Sequence, residues 1–376
     1  MDSLPKDHPA DRGQVAPPTN DDEPAFEQAT EQHRRELLVH CYRMLGSLED
    51  AEDRVQETML RAWRQRASFE GRSGLRTWLY RIATNACIEV LRSRDRRPQG
   101  LDGQPANRPP STSTTPWLQP LPDHLLDLPG PDSDHPEEII VAQESVELAY
   151  LCLVQHLPAR QRGVLILRDV HRFTAKETAS ILDTTVPAVN SALQRARETM
   201  RQFQPPGRSD RSTPPAPSAD QSALLQRYID AHEAADPAAV IALLREDARL
   251  TLCPAGTSWE GRDAITPSFM KNMNRYGRFR CIPTRANTQP AVAFYLRRWD
   301  DAAFRAFSIV VLSIEGAAIT DITTFATPQL FPTFGLPAVR HTPDDPTPAP
   351  PLPPRRQVTQ DTHGEGALEG LPRVFR

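Results

Sequence analysis

No stretch of this 376-residue sequence approaches the ~18 consecutive apolar residues of a membrane helix, so no membrane span is expected. The opening MDSLPKDHPADRGQ has no apolar centre and is not read as a secretory signal; a soluble, cytoplasmic protein is expected. There is no C-x-x-C pair. Cys41, Cys87, Cys152, Cys253 and Cys281 are odd in number and scattered, which provides neither a disulfide framework nor a zinc site. Nothing in the pattern implies a metal or a cofactor. Aromatic residues are scarce at 6 %, and the net charge is only -4. That average hides an asymmetry. Asp21–Leu60 holds eleven acidic and four basic residues, whereas Arg61–Arg97 holds ten arginines against Glu70, Glu89 and Asp95. An acidic face followed by a basic one points to two partners, one of them compatible with nucleic acid.

Proline is abundant, with 38 residues, and cannot sit in so many helix interiors, so part of the chain must be linker. The expected organisation is a disordered N-terminus (1–23), a helical block (24–97), a Pro-rich linker (98–136), a second helical block (137–203), a short linker (204–219), an α+β domain (220–337) and a disordered tail (338–376). In the first block one helix is expected to carry Phe26, Ala29, Leu37, Cys41 and Leu45. A second from Leu48 carries Ala51, Val55, Met59 and Ala62. A third carries Leu75, Trp78, Leu79, Ile82, Ala83, Ala86 and Val90. In the α+β domain two helices precede strands at Arg249–Cys253, Phe279–Thr284, Ala291–Trp299, Phe304–Ile314 and Ala318–Phe325, which predicts a curved sheet.

The sharpest local pattern spans Thr174–Arg201. Thr174-Ala-Lys-Glu177 fits a capping box opening a short helix with Ala175, Ala179 and Leu182 inward. Asp183-Thr-Thr185 supplies a turn and the next N-cap, and Asp tolerates the left-handed conformation such a turn requires. The next helix buries Val186, Val189, Leu193, Ala196 and Met200 and presents Ala188, Asn190, Ser191, Gln194, Arg195 and Arg197 on its other face. Asn and Gln can read adenine edges, while Arg195 and Arg197, two turns in, suit phosphates. The pattern reads as a DNA-binding helix-turn-helix; a helical hairpin with a solvated polar face is the alternative.

In the basic block, arginines gather at a helix end (Arg92, Arg94, Arg96, Arg97) and around Phe69-Glu-Gly-Arg-Ser-Gly74, a combination suited to phosphates and to an unstacked base. Trp78 falls in the apolar stripe and is expected in the core; Tyr80 falls off it and is a candidate for stacking on a base. Asp50 also suits the dipole at its helix start, but Asp53, Gln56 and Glu57 lie beyond the first turn and fit a protein partner better.

These segments resemble the extracytoplasmic-function members of the sigma-70 family of RNA polymerase sigma factors. LEDAEDRVQETMLRAWR is similar to the part of region 2 that binds the polymerase, and FEGRSGLRTWLYRIATNACIEVLRSRDRR to the part that melts and reads the promoter -10 element. LPARQRGVLILRDVHRFTAKETASILDTTVPAVNSALQRARETM is similar to region 4, which reads the -35 element. The resemblance implies polymerase contacts at Asp50, Asp53, Gln56 and Glu57, and -10 contacts at Arg76, Thr77, Tyr80, Arg81 and Asn85. It implies -35 contacts at Ala188, Asn190, Ser191, Gln194 and Arg195, with Arg197 beside them. Many members carry basic residues where Asn190 and Ala192 stand, so weaker phosphate contact is expected here.

Residues 220–337 resemble the SnoaL-like members of the nuclear-transport-factor-2 (NTF2) superfamily, through LLQRYIDAHEAADPAAVIALLREDARLTL, TSWEGRDAI and the late strands. The fold class expected is therefore multidomain: two all-α sigma modules plus a cone-shaped α+β domain. That fold implies an apolar pocket, with Tyr228, Trp259, Phe269 and Phe294 as candidate liners and Asp321 as a candidate buried acid; His232 is expected to be exposed. Trp117-Leu-Gln-Pro-Leu-Pro-Asp123 looks like a short motif of sigma factors carrying this extension, and Trp117 is expected to dock on the third domain or on region 4. The expected function is promoter-specific initiation with core RNA polymerase and promoter DNA as partners, regulated by the third domain; an anti-sigma factor or a small ligand of that domain are further expected partners. A ligand-responsive helix-turn-helix regulator and a SnoaL-like isomerase or cyclase are the alternatives. The acidic-then-basic block favours the first, since a simple repressor needs no polymerase-binding or melting module.

Overall fold

The computed structural model describes residues 23–69, 74–96, 118–126, 141, 143–203, 219–273 and 275–341. Trp117, Arg97 and most of the Phe69–Gly74 loop lie outside them. The first module comprises α1 (Glu23–Glu31), α2 (Arg34–Leu45), α3 (Leu48–Gln65) and α4 (Leu75–Arg96). The expected first helix is thus two, broken at Gln32–His33. Gly46 ends α2 in the left-handed conformation at φ 72°, and Ser47 begins α3 by accepting the Asp50 amide at 3.2 Å. A Cβ at Gly46 would stand only 3.2 Å from both Gln155 and Leu118, so glycine serves both the turn and the packing there.

Helix α4 buries more than the predicted stripe. Leu79, Ala83 and Ala86 are buried as expected, but so are Tyr80, Cys87 and Leu91, because α4 lies between the first and second modules. The second module contains α5 (Leu148–Gln155), α6 (Ala159–Leu165) continuing into a π-helical turn (Ile166–Val170), α7 (Ala175–Ile181) and α8 (Val186–Phe203). Arg162 ties the two modules together. Its buried guanidinium donates to Met44 O and Gln155 Oε1, both at 2.6 Å, to Gln155 O at 2.7 Å and to Leu157 O at 3.1 Å. These carbonyls stand at the C-terminal ends of α2 and α5, where a cation is favoured by the helix dipoles.

The third domain places α9 (Ala219–Glu233), α10 (Pro237–Ala242) and α11 (Arg262–Asn272) against a sheet of β1 (Leu244–Cys253), β2 (Thr257–Glu260), β3 (Gly277–Ala286), β4 (Gln289–Arg298), β5 (Phe304–Glu315), β6 (Ala318–Phe325) and β7 (Val339–Arg340). The order is β2-β1-β6-β5-β4-β3, with β1 and β6 parallel, the other pairs antiparallel, and β7 beside β5. All five predicted strands exist. Helix α11 and β2 were not predicted; Pro267 inside α11 obscures its periodicity.

The sheet's two faces enter two different cores. Val292, Phe294, Val310 and Leu312 pack with α9–α11, whereas Ala291, Ala293, Tyr295, Ile309 and Val311 join the core shared by the two helical modules. The period-2 alternation of a strand thus joins the third domain to both.

The segment Leu118–Leu126 runs between the domains, burying Leu118, Leu121 and Leu126. Three leucines contribute roughly 1.5–3 kcal/mol each, while ordering nine residues costs about 1–2 kcal/mol apiece, so apolar burial alone does not fix the segment. Its polar contacts complete the attachment. Gln119 Oε1 accepts the Leu48 and Glu49 amides at 2.8 and 3.1 Å, capping α3, and Gln119 O accepts from Tyr42 Oη at 2.7 Å. Arg35 donates to Leu126 O at 2.7 Å.

Candidate polymerase and promoter surfaces

The residues expected to form a -35 surface share an exposed face of α8. Thr174 Oγ1 accepts the Glu177 amide at 3.2 Å and Glu177 Oε2 accepts the Thr174 amide at 2.7 Å, completing the capping box of α7. Asp183 takes φ 48°, the left-handed turn expected of it. Val189, Leu193 and Ala196 are buried, so the helix sits with Ala188, Asn190, Ser191, Gln194, Arg195 and Arg197 in solvent. Arg195 Nη1 donates to Ser191 Oγ at 2.8 Å. Arg197 makes a two-pronged pair with Asp169, at 2.6 and 3.0 Å, which raises its pKa through the hydrogen bond; a phosphate would compete with that carboxylate.

Two expectations on this helix need correction. Val186 is 38 % exposed, because the first turn of α8 projects beyond the module. Ala192 faces inward at 9 % exposure, so a basic residue there would meet the core, whereas Asn190 is exposed.

On α3, Asp53 and Gln56 are exposed, while Glu57 pairs with Arg61 at 2.6 Å and Asp50 pairs with Arg94. The arginines expected to meet DNA are partly engaged within the first module. Arg61 also reaches Glu89 at 3.4 Å, and Arg66 pairs with Glu23 and lies 4.3 Å over the Trp63 ring. Trp78 is half-buried and packs against Phe26 and Phe69, with ring centroids 6.3 and 5.1 Å away, at the edge of the core rather than within it.

The expected -10 surface is different. Of its five residues only Arg81 is exposed. Thr77 is half-buried. Arg76 is bound to Glu36 at 2.9 Å and lies over Tyr80 and Phe173, 4.8 Å from each ring. Asn85 donates to Ile181 O, in the second module, at 3.3 Å. Tyr80, expected off the stripe and free to stack, is fully buried. Its ring lies 5.0 Å from Phe173 and 4.9 Å from His171, so the second module covers it. Single-helix periodicity cannot foresee this, because the covering residues are some ninety positions away.

A relay of hydrogen bonds crosses the contact. Thr84 Oγ1 lies 2.9 Å from His40 Nε2, His40 Nδ1 lies 3.2 Å from His171 Nε2, His171 Nδ1 lies 3.2 Å from Tyr80 Oη, and Tyr80 Oη donates to Glu36 Oε2 at 3.2 Å. Burial pushes the Glu36 carboxyl up, but its bonds to His33 and Arg76 outweigh burial and leave it lowered. With Glu36 ionised, one proton arrangement satisfies the chain: Thr84 donates to His40, His40 to His171, His171 to Tyr80 and Tyr80 to Glu36. Both histidines are then neutral. Burial, reinforced by nearby Arg43 and Arg76, drives His40 down to about 3, and burial with His40 alongside drives His171 well below its ordinary value.

The third domain touches both modules through the turn between β3 and β4. Asn287, at φ 58° and fully buried, accepts the Leu121 amide on Oδ1 at 2.9 Å and donates from Nδ2 to Tyr42 Oη at 2.8 Å and Val146 O at 2.7 Å. One side chain thereby joins the first module, the linker and the approach to the second. Gln289 Oε1 accepts the Leu148 amide at 3.1 Å, and Asp123 accepts from Thr288 N and Arg285 Nε, both at 2.8 Å. Leu121 and Asp123 belong to the Trp117–Asp123 motif, but Asn287, Thr288 and Gln289 were not singled out in the sequence; an Asn-Thr pair between two β-patterned runs was the available signal.

The remaining site candidates lie in the third domain. Tyr228, Trp259, Phe269 and Phe294 line a cavity of about 370 Å³. Asp321 does not: it is half-buried and paired in register with Arg249 and Ser313, with its neighbour Ile322 on the cavity side. His232 is buried at 5 % exposure on the cavity wall, contrary to expectation. Tyr228 and His232 stand four residues apart on the buried face of α9, where the His232 ring lies 4.3 Å from Tyr228 and 5.0 Å from Phe294.

Residues 30–97 match the family Sigma-70 region 2, and residues 147–200 match Sigma-70, region 4. Over 320 residues the chain is 42 % identical to the ECF RNA polymerase sigma factor SigG of Mycobacterium tuberculosis, covering 83 % of this chain and 84 % of that one. This chain belongs to the ECF RNA polymerase sigma factors. It is also 31 % identical over 180 residues to the ECF RNA polymerase sigma factor SigW of Bacillus subtilis, covering 48 % of this chain and 89 % of that one. The crystal structure of the Mycobacterium tuberculosis extracytoplasmic function sigma factor SigJ shares the fold at 20 % identity and a TM-score of 0.52, covering 83 % of this chain and 99 % of that one. The first and second modules of this sigma factor are thus region 2 and region 4, and no helix among the described residues is long and apolar enough to cross a membrane.

Proposed function

We propose that this sigma factor directs initiation in the cytoplasm from a two-element promoter, and that its third domain holds it in a closed state until core polymerase separates regions 2 and 4. Asp50, Asp53, Gln56 and Glu57 present the polymerase-binding face of α3. Asn190, Ser191, Gln194 and Arg195 read the -35 duplex, with Ala188 and Arg197 flanking. Arg76, Thr77, Tyr80, Arg81 and Asn85 approach the -10 strand once region 4 has left. The burial of Tyr80 against His171 and Phe173 carries this reading, because a -10 face cannot be used while region 4 lies on it.

Asn287 and the Leu118–Leu126 segment support the regulatory part. They bind the third domain to region 2 and to the start of region 4 at once, so opening must break buried hydrogen bonds. The factor works without catalysis of its own. Among the described residues the cavity wall includes no carboxylate, and Asp321 belongs to the other face of β6.

Run-off transcription with purified core polymerase and a promoter library tests this. The full chain should bind core and give promoter-dependent transcripts, and removal of residues 220–376 should change promoter activity without abolishing core binding. No core binding and no transcript from either the full chain or residues 1–204 would overturn the initiation reading. Unchanged promoter activity after truncation would overturn the regulatory one.

A further inference from the structure

The cavity of the third domain is built like a receptor for one kind of small molecule. Its wall is largely aliphatic and aromatic, with Trp259, Phe269, Phe279 and Phe294 among its residues. An anion inside would lose its water without a buried cation in return, since Lys271 is exposed at the rim. A cation inside would meet no carboxylate among the described lining residues. The interior therefore selects uncharged, largely apolar skeletons, and its volume suits fused rings.

One wall group adds direction. His232 Nδ1 lies 2.9 Å from Tyr228 O. A carbonyl only accepts, so Nδ1 carries the proton and donates it. Burial holds the ring neutral at pH 7, with its pKa down to about 4. Nε2 is then a lone-pair acceptor. Among the described residues it has no hydrogen-bond partner, and its ring is fixed between Phe294 and Phe269, with centroids 5.0 and 5.8 Å away. An acceptor on a cavity wall with no protein donor favours a ligand that brings one. Ser308, also buried, is one of several hydroxyl-bearing residues on the wall.

We propose that the cavity binds an uncharged fused-ring compound bearing a hydroxyl, which donates a hydrogen bond to His232 Nε2. The proposal deepens the regulatory reading above and rests on it for its biological meaning. The wall and the inter-domain contact share strand β4: Phe294 faces the cavity, while Ala293 and Tyr295 on either side face the core shared with regions 2 and 4.

The test uses the full chain and three probes of one skeleton: 2-naphthol, its methyl ether 2-methoxynaphthalene, and the anion 2-naphthoate. Binding is read by calorimetry and by the fluorescence of Trp259 against a Trp259→Phe control. 2-Naphthol should bind about five- to tenfold more tightly than the methyl ether, the worth of one neutral hydrogen bond. 2-Naphthoate should bind more weakly than either. His232→Phe should retain apolar binding and reduce the naphthol preference to within about twofold. The comparison of probes on the unaltered chain stands even if that variant fails to fold. No binding of any probe, no preference for the hydroxyl, or a preference for 2-naphthoate would each overturn the proposal. Run-off transcription with and without 2-naphthol separates it from the regulatory reading: binding with unchanged transcription overturns the coupling and leaves the site standing.

Discussion

Gln194 and Asn190, proposed to read the -35 duplex, are placed by their neighbours rather than by themselves. Both are exposed because Val189, Leu193 and Ala196 anchor the opposite face of α8. Substituting Gln194 by Ala should relax discrimination at one -35 base pair by about 1–3 kcal/mol, seen as a flattened preference in binding to a mutated operator series. Arg195→Ala should instead weaken binding to all sequences alike and reduce the salt slope by about one, the signature of a lost phosphate contact. Arg162 belongs to another class. Replacing it with Met strands the carbonyls of Met44, Gln155 and Leu157 in a dry site, and about 3 kcal/mol of stability should disappear in denaturant titration while α8 still binds DNA. The exposed face of α8 was legible in the sequence because local periodicity and capping decide it. Arg162, Asn287 and Gln119 were not, because each acts on groups brought near only by the assembled fold.

Elements fared according to how local their determinants are. The capping box of α7, the turn at Asp183 and all five expected strands follow from short-range chemistry and were readable. The width of the buried face of α4 was not: it reflects two partners, and only one was visible in a single helix pattern. That second partner makes the contact sensitive to pH. His40 and His171 are neutral in the closed state, with values well below the ordinary 6.5, and return towards it when region 4 departs. The open state therefore binds more protons, so closure is favoured fully above about pH 6.5 and loses stability as pH falls below it. At about pH 5.5 each histidine should cost the closed state roughly 1.4 kcal/mol. Glu36, Arg43 and Arg76 are the charged groups around the pair, and Glu36, ionised in this range, opposes the loss only in part. Hydrogen exchange of α4 and α7 amides, corrected for intrinsic rates, should show protection falling between pH 7 and 5.5 in the unaltered chain and much less in His171→Phe. Equal pH dependence in both would remove the histidines from the account.

At the scale of the whole molecule, three domains share one arrangement in which the proposed polymerase face of α3 and the proposed -35 face of α8 are presented while the proposed -10 face is covered. The sequence revealed the domain order and the character of each domain, but not that the turn at Asn287 would insert between them. Asn287→Ala removes three buried hydrogen bonds and places a Cβ residue without a side-chain partner at φ 58°, so closure should weaken by about 3 kcal/mol or more. That variant should give more promoter-dependent transcript than the unaltered chain at limiting core polymerase. The most direct measurement is the distance between region 2 and region 4, followed by energy transfer between fluorophores on Glu27→Cys in α1 and Glu198→Cys in α8, both exposed positions. The account predicts one short-distance population in the free chain that moves to a longer distance on adding core polymerase, and does so more readily in Asn287→Ala. A chain that binds core and transcribes from its promoter with that distance unchanged would contradict it.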